Sequence, residues 1–199
     1  MVPVGNDYTP EEVYQHIQKD FAFYGEKGGI TVSGGEPFSQ AEEVLVLLGL
    51  CKEKGIGTAV ETCGYFDPDI LARAVSVTDL FLWDIKDTDS GRHKEYTGIS
   101  NEQIIRNLML ADSLGAKTRV RCILVNGVNT DARHYQNIAE IVVRLQHCQG
   151  VEFLPYHPYG GAKVRALARE DFTNDGWIPT KEQIFSAKEF LRSCGIPVI

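Results

Sequence analysis

The chain has 199 residues, of which 43% are hydrophobic and 24% are charged, a balance typical of one compact domain with a sizeable core. Its 20 Lys and Arg against 27 Asp and Glu give a net charge of -7, which argues against nucleic acid or an anionic membrane as the main partner. Because no stretch approaches the ~20 apolar residues that span a bilayer and no signal-peptide pattern is present, we expect a single cytoplasmic domain over 1–199.

Apolar, β-branched runs alternate along the chain with amphipathic segments that begin at capping residues. This alternation is typical of parallel βα units. A first helix is predicted to begin with a capping box of Thr9 and Glu12. The five predicted strands cover 29–36, 58–63, 79–86, 118–125 and 151–157. We therefore expect an α/β fold with about five parallel strands.

Helices are predicted between and after these strands. Their starts are indicated, in chain order, by a capping box at Ser39 and Glu42, by Asp67 with Pro68, by a capping box at Ser100 and Gln103, by a periodic segment over 131–147, and by a capping box at Thr180 and Gln183. Two irregular stretches, 87–99 and 158–179, are longer than a connection requires, which makes them candidate functional loops.

Strand periodicity assigns side chains to two faces. Since successive side chains point to opposite sides, Phe81 and Trp83 share one face of the third strand, and Asp84 and Lys86 share the other. In the fourth strand, Arg121 falls on the face opposite its apolar neighbours. Helices must cover the apolar face. The charged residues are therefore predicted to converge on the inner face.

Three more polar residues, Glu36, Glu61 and His157, fall at or near the C-terminal ends of their strands. Active sites of βα folds lie at this end of the sheet. A zwitterionic amino-acid head needs an anion for its ammonium group and a cation for its carboxylate, and Glu36 with Lys86 would supply both. The paired glycines Gly34 and Gly35 would let backbone groups approach such a ligand closely.

Six motifs in order carry a family resemblance. They are GGITVSGGEP at 28–37, ETCGY at 61–65, DIK at 84–86, His93 with Thr97 and Gly98, Arg121, and LPYH at 154–157. In order and spacing they resemble the glycyl radical enzyme activating enzymes of the radical S-adenosylmethionine superfamily, a group typified by pyruvate formate-lyase activating enzyme. The resemblance covers nearly the whole chain and implies a partial (β/α) barrel that binds S-adenosylmethionine.

The resemblance also implies roles for individual residues. Gly34, Gly35 and Glu36 would hold the amino group of S-adenosylmethionine. Asp84 and Lys86 match an Asp-x-Lys motif at a strand end, where the lysine meets the methionine carboxylate.

Three further cofactor-binding residues and two protein partners follow from the same resemblance. Arg121 and His157 would contact the cofactor or the incoming glycine loop. Glu61 stands where activating enzymes commonly have aspartate, beside the methionine part and near a monovalent-cation site. The protein partner would be a glycyl radical enzyme such as pyruvate formate-lyase, and the electron donor a flavodoxin or a ferredoxin.

The family's cluster motif is missing from the chain. Such enzymes hold a [4Fe-4S] cluster with a C-x3-C-x2-C loop upstream of the GGEP strand, whereas residues 1–29 contain no cysteine. The five cysteines are scattered, and Cys51 and Cys194 are predicted to be core residues on helix faces. We therefore expect no metal ligands in this chain, a barrel without the family's first strand, an uncovered edge on the strand at 29–36, and little or no catalysis from the chain alone.

Two other functions remain open at this point. In a barrel lyase, Lys86 would form a Schiff base with a carbonyl substrate, and Glu61 or Asp84 would shuttle protons. Alternatively, a relative without the cluster would keep only the S-adenosylmethionine pocket or the partner surface and act as a binding module.

Overall fold

The structure is a computed structural model that describes residues 5–25, 28–160 and 174–199. Five parallel strands form one sheet in the order β1-β2-β3-β4-β5. Their bounds are β1 Gly29–Val32, β2 Gly57–Thr62, β3 Leu80–Ile85, β4 Thr118–Leu124 and β5 Cys148–Pro155. Within the described ranges β1 and β5 do not pair, so the sheet is open. The predicted α/β class and the five parallel strands are confirmed.

Eight helices are described around the sheet. They are α1 Pro10–Lys19, α2 Phe21–Tyr24, α3 Ala41–Glu53, α4 Leu71–Val77, α5 Ser90–Thr97, α6 Glu102–Ser113, α7 Ala132–Val142 and α8 Lys181–Ser193. Helix α3 contacts β2 and helix α8 contacts β5, while α4 packs against both α3 and α6. In the described part of the chain, no helix is both long enough and apolar enough to cross a membrane.

The two faces of the sheet differ as the periodicity predicts. Val60, Phe81, Trp83 and Val120 are completely buried in one continuous apolar core beneath the helices. The residues between them in sequence are half-buried on the opposite face. There, the register places Asp84 of β3 beside Arg121 of β4. The strands thus bring opposite charges together on their inner face.

The helix starts are partly as predicted. The capping boxes of α1 and α8 are both present, and Asp67 and Asp131 cap the turns that follow them. The predicted capping box at Ser39 is wrong. Pro37 begins a short 3-10 turn that the Glu36 side chain caps, and Ser39 lies inside this turn, two residues before α3 begins at Ala41.

The predicted capping box at Ser100 is also wrong. Asn101 precedes the first turn of α6, and its side chain makes no bond to that helix. Its amide instead donates to the backbone of the loop after β3. The sequence has the pattern of a capping box, but the residue at the capping position, Asn101, makes a tertiary contact instead of capping the helix.

The predicted strand at 29–36 and the predicted irregular stretch 87–99 are both longer than the corresponding segments of the structure. Strand β1 ends at Val32 rather than at position 36, because Gly34 and Gly35 adopt positive φ angles of 95° and 60° that end the extended conformation. The stretch 87–99 contains helix α5, which Asp89 caps. The stretch 158–179 begins and ends with 3-10 turns, and its residues 161–173 lie outside the described part of the chain.

Cysteine burial is mixed. Cys51 is completely buried on α3, as predicted. The prediction for Cys194 is wrong: it follows the last residue of α8, at the C-cap, and is exposed.

Candidate functional site

A chain of four alternating charges crosses the inner face at the strand ends. The Arg121 guanidinium hydrogen-bonds Glu61, and its Nε donates to Asp84 Oδ1 at 2.8 Å while its Nη2 lies 2.6 Å from the same oxygen in an ion pair. Asp84 Oδ2 accepts in turn from Lys86 Nζ at 2.7 Å. The structure therefore brings four of the predicted site residues into one network, which we call the charge chain (Glu61, Arg121, Asp84 and Lys86).

Burial decides which part of the charge chain is fixed. The side chains of Arg121 and Asp84 are only 11% and 13% exposed, whereas Glu61 and Lys86 are 32% and 35% exposed. Hydrogen bonding from Arg121, opposed by partial burial and helped by the Ser33 hydroxyl at 2.9 Å, lowers the pKa of Glu61. The centre is thus rigid and paired, and the two ends are open to a ligand.

Lys86 keeps donor capacity for such a ligand. An ammonium group has three donors, and among the described residues Lys86 Nζ bonds only to Asp84. Beside it lies a cavity of about 220 Å³ whose lining includes Tyr96, Ile123, Tyr156 and Trp177. A cation next to an apolar cavity suits a ligand that joins a carboxylate to an apolar group.

Glu36 binds protein groups in this structure. Its carboxylate accepts from the Thr62 hydroxyl at 2.8 Å, from the Cys63 backbone N–H at 3.0 Å and thiol at 3.1 Å, and from Phe38 N–H at 3.2 Å. These four donors tie the loop after β1 to the end of β2. The proposed role of Glu36 toward an ammonium group stays a prediction, since these donors fill most of the carboxylate's acceptor positions.

The glycines before Glu36 present open backbone. A Cβ atom placed on Gly34 or on Gly35 would meet no other atom within 4 Å. Both residues are exposed at the carboxyl end of β1. The backbone of both glycines is therefore open to solvent, so that a ligand could approach it closely.

Thiol chemistry does not favour a metal site here. Burial and the hydrogen bond to Glu36 raise the pKa of Cys63 to about 11, so this thiol stays protonated at neutral pH. Burial also raises the pKa values of Cys51 and Cys122. Among the described residues, which include all five cysteines, no group of three His, Cys, Asp or Glu side chains could hold a metal ion.

His157 stands apart from the charge chain. It is exposed two residues beyond β5, and its ring lies 5.0 Å from the ring of Tyr159. No hydrogen bond or ion pair joins it to the other predicted site residues within 5–25, 28–160 and 174–199. Its place at the carboxyl end of β5 agrees with the prediction, and its contact with a ligand stays a prediction.

Sequence reasoning missed the side chains that hold the site from behind. Asn101 and Asn129 are 3% and 1% exposed, and both donate to the backbone that follows β3. Ser33, which the sequence marks only as one letter of a longer motif, bonds Glu61. An asparagine in a turn is common, so nothing in the sequence marks these two as unusual.

The chain matches the family model of the radical SAM superfamily over residues 2–137. It is 37% identical to choline trimethylamine-lyase activating enzyme of Oleidesulfovibrio alaskensis, over 84% of this chain and 55% of that protein. It is 33% identical to trans-4-hydroxy-L-proline dehydratase activating enzyme of Clostridioides difficile, over 96% and 64%. Identity to pyruvate formate-lyase-activating enzyme of Streptococcus mutans is 33%, over 93% and 73%. The chain thus spans about half to two thirds of the first two relatives.

Solved structures agree with these matches. A domain of pyruvate-formate lyase-activating enzyme from Bacteroides vulgatus superposes with a TM-score of 0.72 at 25% identity, covering 86% of this chain and 97% of that one. A radical SAM methyltransferase from Sphaerobacter thermophilus also gives 0.72, at 16% identity, over 98% of this chain and 58% of that one. The second likeness concerns the fold alone.

Proposed function

Because the chain belongs to the radical SAM superfamily, among its activating enzymes, we propose that its strand ends hold the methionine part of S-adenosylmethionine. In the whole protein this cofactor would supply the radical chemistry that removes a hydrogen atom from a glycine of a partner enzyme. The partner would be a glycyl radical enzyme, and a flavodoxin or a ferredoxin would deliver the electron. The names of the relatives, each an activating enzyme for a lyase or a dehydratase, support this class of partner.

The charge chain is the observation that carries the proposal. Lys86 would bind the methionine carboxylate with the donors that Asp84 leaves free, and Arg121 would hold Asp84 in place. The ammonium group would lie toward the open glycine turn of Gly34 and Gly35 and toward Glu61. Each charge of the ligand then meets its opposite at the carboxyl ends of β1, β2 and β3.

The second group that the family implies, a [4Fe-4S] cluster, does not fit these residues. Three thiolates are needed, whereas the described residues include all five cysteines and no group of three His, Cys, Asp or Glu side chains among them could hold a metal ion. We therefore assign no cluster ligand and no cluster-dependent step to this chain. Its own contribution is to bind and orient the cofactor's amino-acid head.

The alternative Schiff-base lyase is disfavoured by the same geometry. A Schiff base forms when the lysine nitrogen attacks a carbonyl carbon, but Lys86 Nζ is held by the Asp84 carboxylate at 2.7 Å. The pure binding module differs from the activating enzyme only in turnover by the whole protein, and the relatives' names favour the enzyme.

Equilibrium dialysis of this chain against labelled S-adenosylmethionine tests the proposal. Replacing Lys86 with Met keeps most of the unbranched side chain and removes its charged nitrogen. We expect the dissociation constant of Lys86→Met to rise ~10-fold or more, as for the loss of a charge-assisted hydrogen bond. Lys54→Met, at the exposed end of α3, serves as the matched control and should bind as the unmodified chain does. Equal affinity for Lys86→Met and Lys54→Met would overturn the proposal.

A further inference from the structure

Lys86 lies just beyond the paired part of β3. The last residue pair between β3 and β4 joins Ile85 to Cys122, so no strand neighbour is available for the Lys86 backbone. The Asn129 side chain takes that place. Its Nδ2 donates to the Lys86 carbonyl at 3.2 Å and to the Ile123 carbonyl at 2.9 Å, while its Oδ1 accepts from Val125 N–H at 2.8 Å. One buried amide thus continues the link between the two strands past their last backbone pair.

The next two carbonyls are held in the same manner. Asn101 Nδ2 donates to the carbonyl of Asp87 and to that of Thr88, both at 3.0 Å. The Asp87 carboxylate accepts from Arg92 Nε at 2.6 Å and Nη2 at 3.0 Å. Three successive carbonyls after β3 therefore depend on two asparagine side chains, each almost completely buried.

Burying the two asparagine side chains carries a desolvation cost that a solvent-exposed loop would not carry. A buried amide that loses its partner forfeits the hydrogen bond and keeps the desolvation penalty, so such residues are retained only where all their groups are satisfied. Every polar atom of the Asn129 side chain has a partner at the strand ends. A lysine side chain loses much rotamer freedom when it binds a ligand. If its backbone is already fixed, less conformational entropy is lost on binding.

We propose that Asn129 is a positioning residue that fixes the backbone of Lys86, so that the Lys86 ammonium group is held at Asp84 in the place where a ligand carboxylate binds. This inference rests on the proposed function, which supplies its ligand. It adds the residue that sets the position of the Lys86 ammonium group. It also predicts that Asn129 affects only ligands that carry a carboxylate.

The first test uses the chain without any ligand. Limited acetylation with acetic anhydride, followed by mass spectrometry of the Lys86 peptide, measures how firmly the amine is held against Asp84. We expect Asn129→Ala to raise the Lys86 labelling rate ~10-fold, the equivalent of one net hydrogen bond, with Lys54 labelling unchanged as the internal reference. Asn129→Asp, which keeps the acceptor for Val125 N–H but loses the donor, serves where Asn129→Ala does not fold.

Asn107→Ala is the matched control for loss of stability. Asn107 is 2% exposed, and its Nδ2 donates to the carbonyls of Gly64 and Phe66, both at 2.9 Å. It therefore makes the same kind of contact on the loop after β2. A Lys86 labelling rate that rises equally in Asn107→Ala and in Asn129→Ala would overturn the inference.

The second test compares S-adenosylmethionine with its decarboxylated form, which lacks the carboxylate. We expect Asn129→Ala to weaken binding of the first ~10-fold and to leave the second unchanged, and to have no further effect in a Lys86→Met background. Equal weakening of both ligands would overturn the inference. If the unmodified chain binds neither ligand, the proposed function fails, and the labelling result alone decides whether Asn129 positions Lys86.

Discussion

The two faces of β2, β3 and β4 use the same backbone for opposite purposes. On the outer face, Trp83 and Val120 are completely buried in the apolar core. On the inner face, one residue away in sequence, Asp84 and Arg121 form an ion pair that is mostly buried and leads to the more exposed Lys86. Stability and chemistry are thus separated by the two-residue period of a strand rather than by distance along the chain.

The two faces contribute to stability in different ways. Hydrophobic burial fixes the strands without regard to what the inner side chains are. The ion pairs need an exact strand position, since their desolvation is offset only by good geometry. Substitutions on the two faces should therefore differ in how much stability they cost and in the physical cause of the loss.

The largest expected effect is on the outer face. Trp83→Ala should lower the free energy of unfolding by about 4 kcal/mol, because it leaves a cavity beside Phe66 and Phe81, whose rings lie 6.0 and 6.2 Å away. Leu82→Ala, on the half-buried inner face, is the matched control and should cost about 1 kcal/mol. Urea unfolding followed by circular dichroism measures both. Equal losses would contradict the division between the faces.

Arg121→Met should have the next largest effect. It leaves Asp84 almost buried without its main partner, so we expect a loss of about 3 kcal/mol. Arg119→Met is the matched control two residues earlier on the same face, where no ion pair occurs among the described residues, and its cost should stay below about 1 kcal/mol. The same urea unfolding measures both. A cost for Arg119→Met as large as that for Arg121→Met would show that the ion pairs contribute nothing specific.

The smallest expected effect is on the stability of the folded chain at acid pH. The pKa of Glu61 in the folded state lies below its ordinary value near 4.5, so its contribution is present above that value and is lost as the pH falls through the lowered pKa. Glu61→Gln should therefore reduce the loss of stability between pH 5 and pH 3, by less than about 1 kcal/mol because Glu61 is a third exposed.

Urea midpoints measured at intervals across this range test the Glu61 prediction. In an Arg121→Met background the effect of the further substitution Glu61→Gln should nearly vanish, because Arg121 is the main cause of the lowered pKa. An effect of Glu61→Gln that is the same with and without Arg121 would assign the acid sensitivity to another carboxylate.

Periodicity in the sequence is sufficient to predict the strands and the faces. The apolar alternation around Phe81 and Trp83 places Asp84 and Lys86 on the inner face, and local capping boxes such as Thr9 with Glu12 form because both partners lie within one turn. These features depend on neighbours close in sequence, so the sequence alone contains their cause.

The contacts of the site could not be predicted in this way. Glu36 bonds Thr62 and Cys63 because a turn of two positive-φ glycines brings their strands' ends together, and no local pattern encodes that approach. Asn101, which follows the predicted capping residue Ser100, bonds a loop thirteen residues earlier in sequence. Long-range side-chain partners of this kind follow from the fold and not from the motif.

The sheet order has a consequence for how the chain is made. Since each strand lies beside its immediate predecessor in sequence, every new βα unit can pair with one already synthesised. The final pairing is the bridge between Val198 and Val151, supported by bonds from Val151 N–H to the Pro197 carbonyl and from Ile199 N–H to the Val151 carbonyl. A nascent chain that has been synthesised only as far as the end of β4 therefore already carries all four residues of the charge chain.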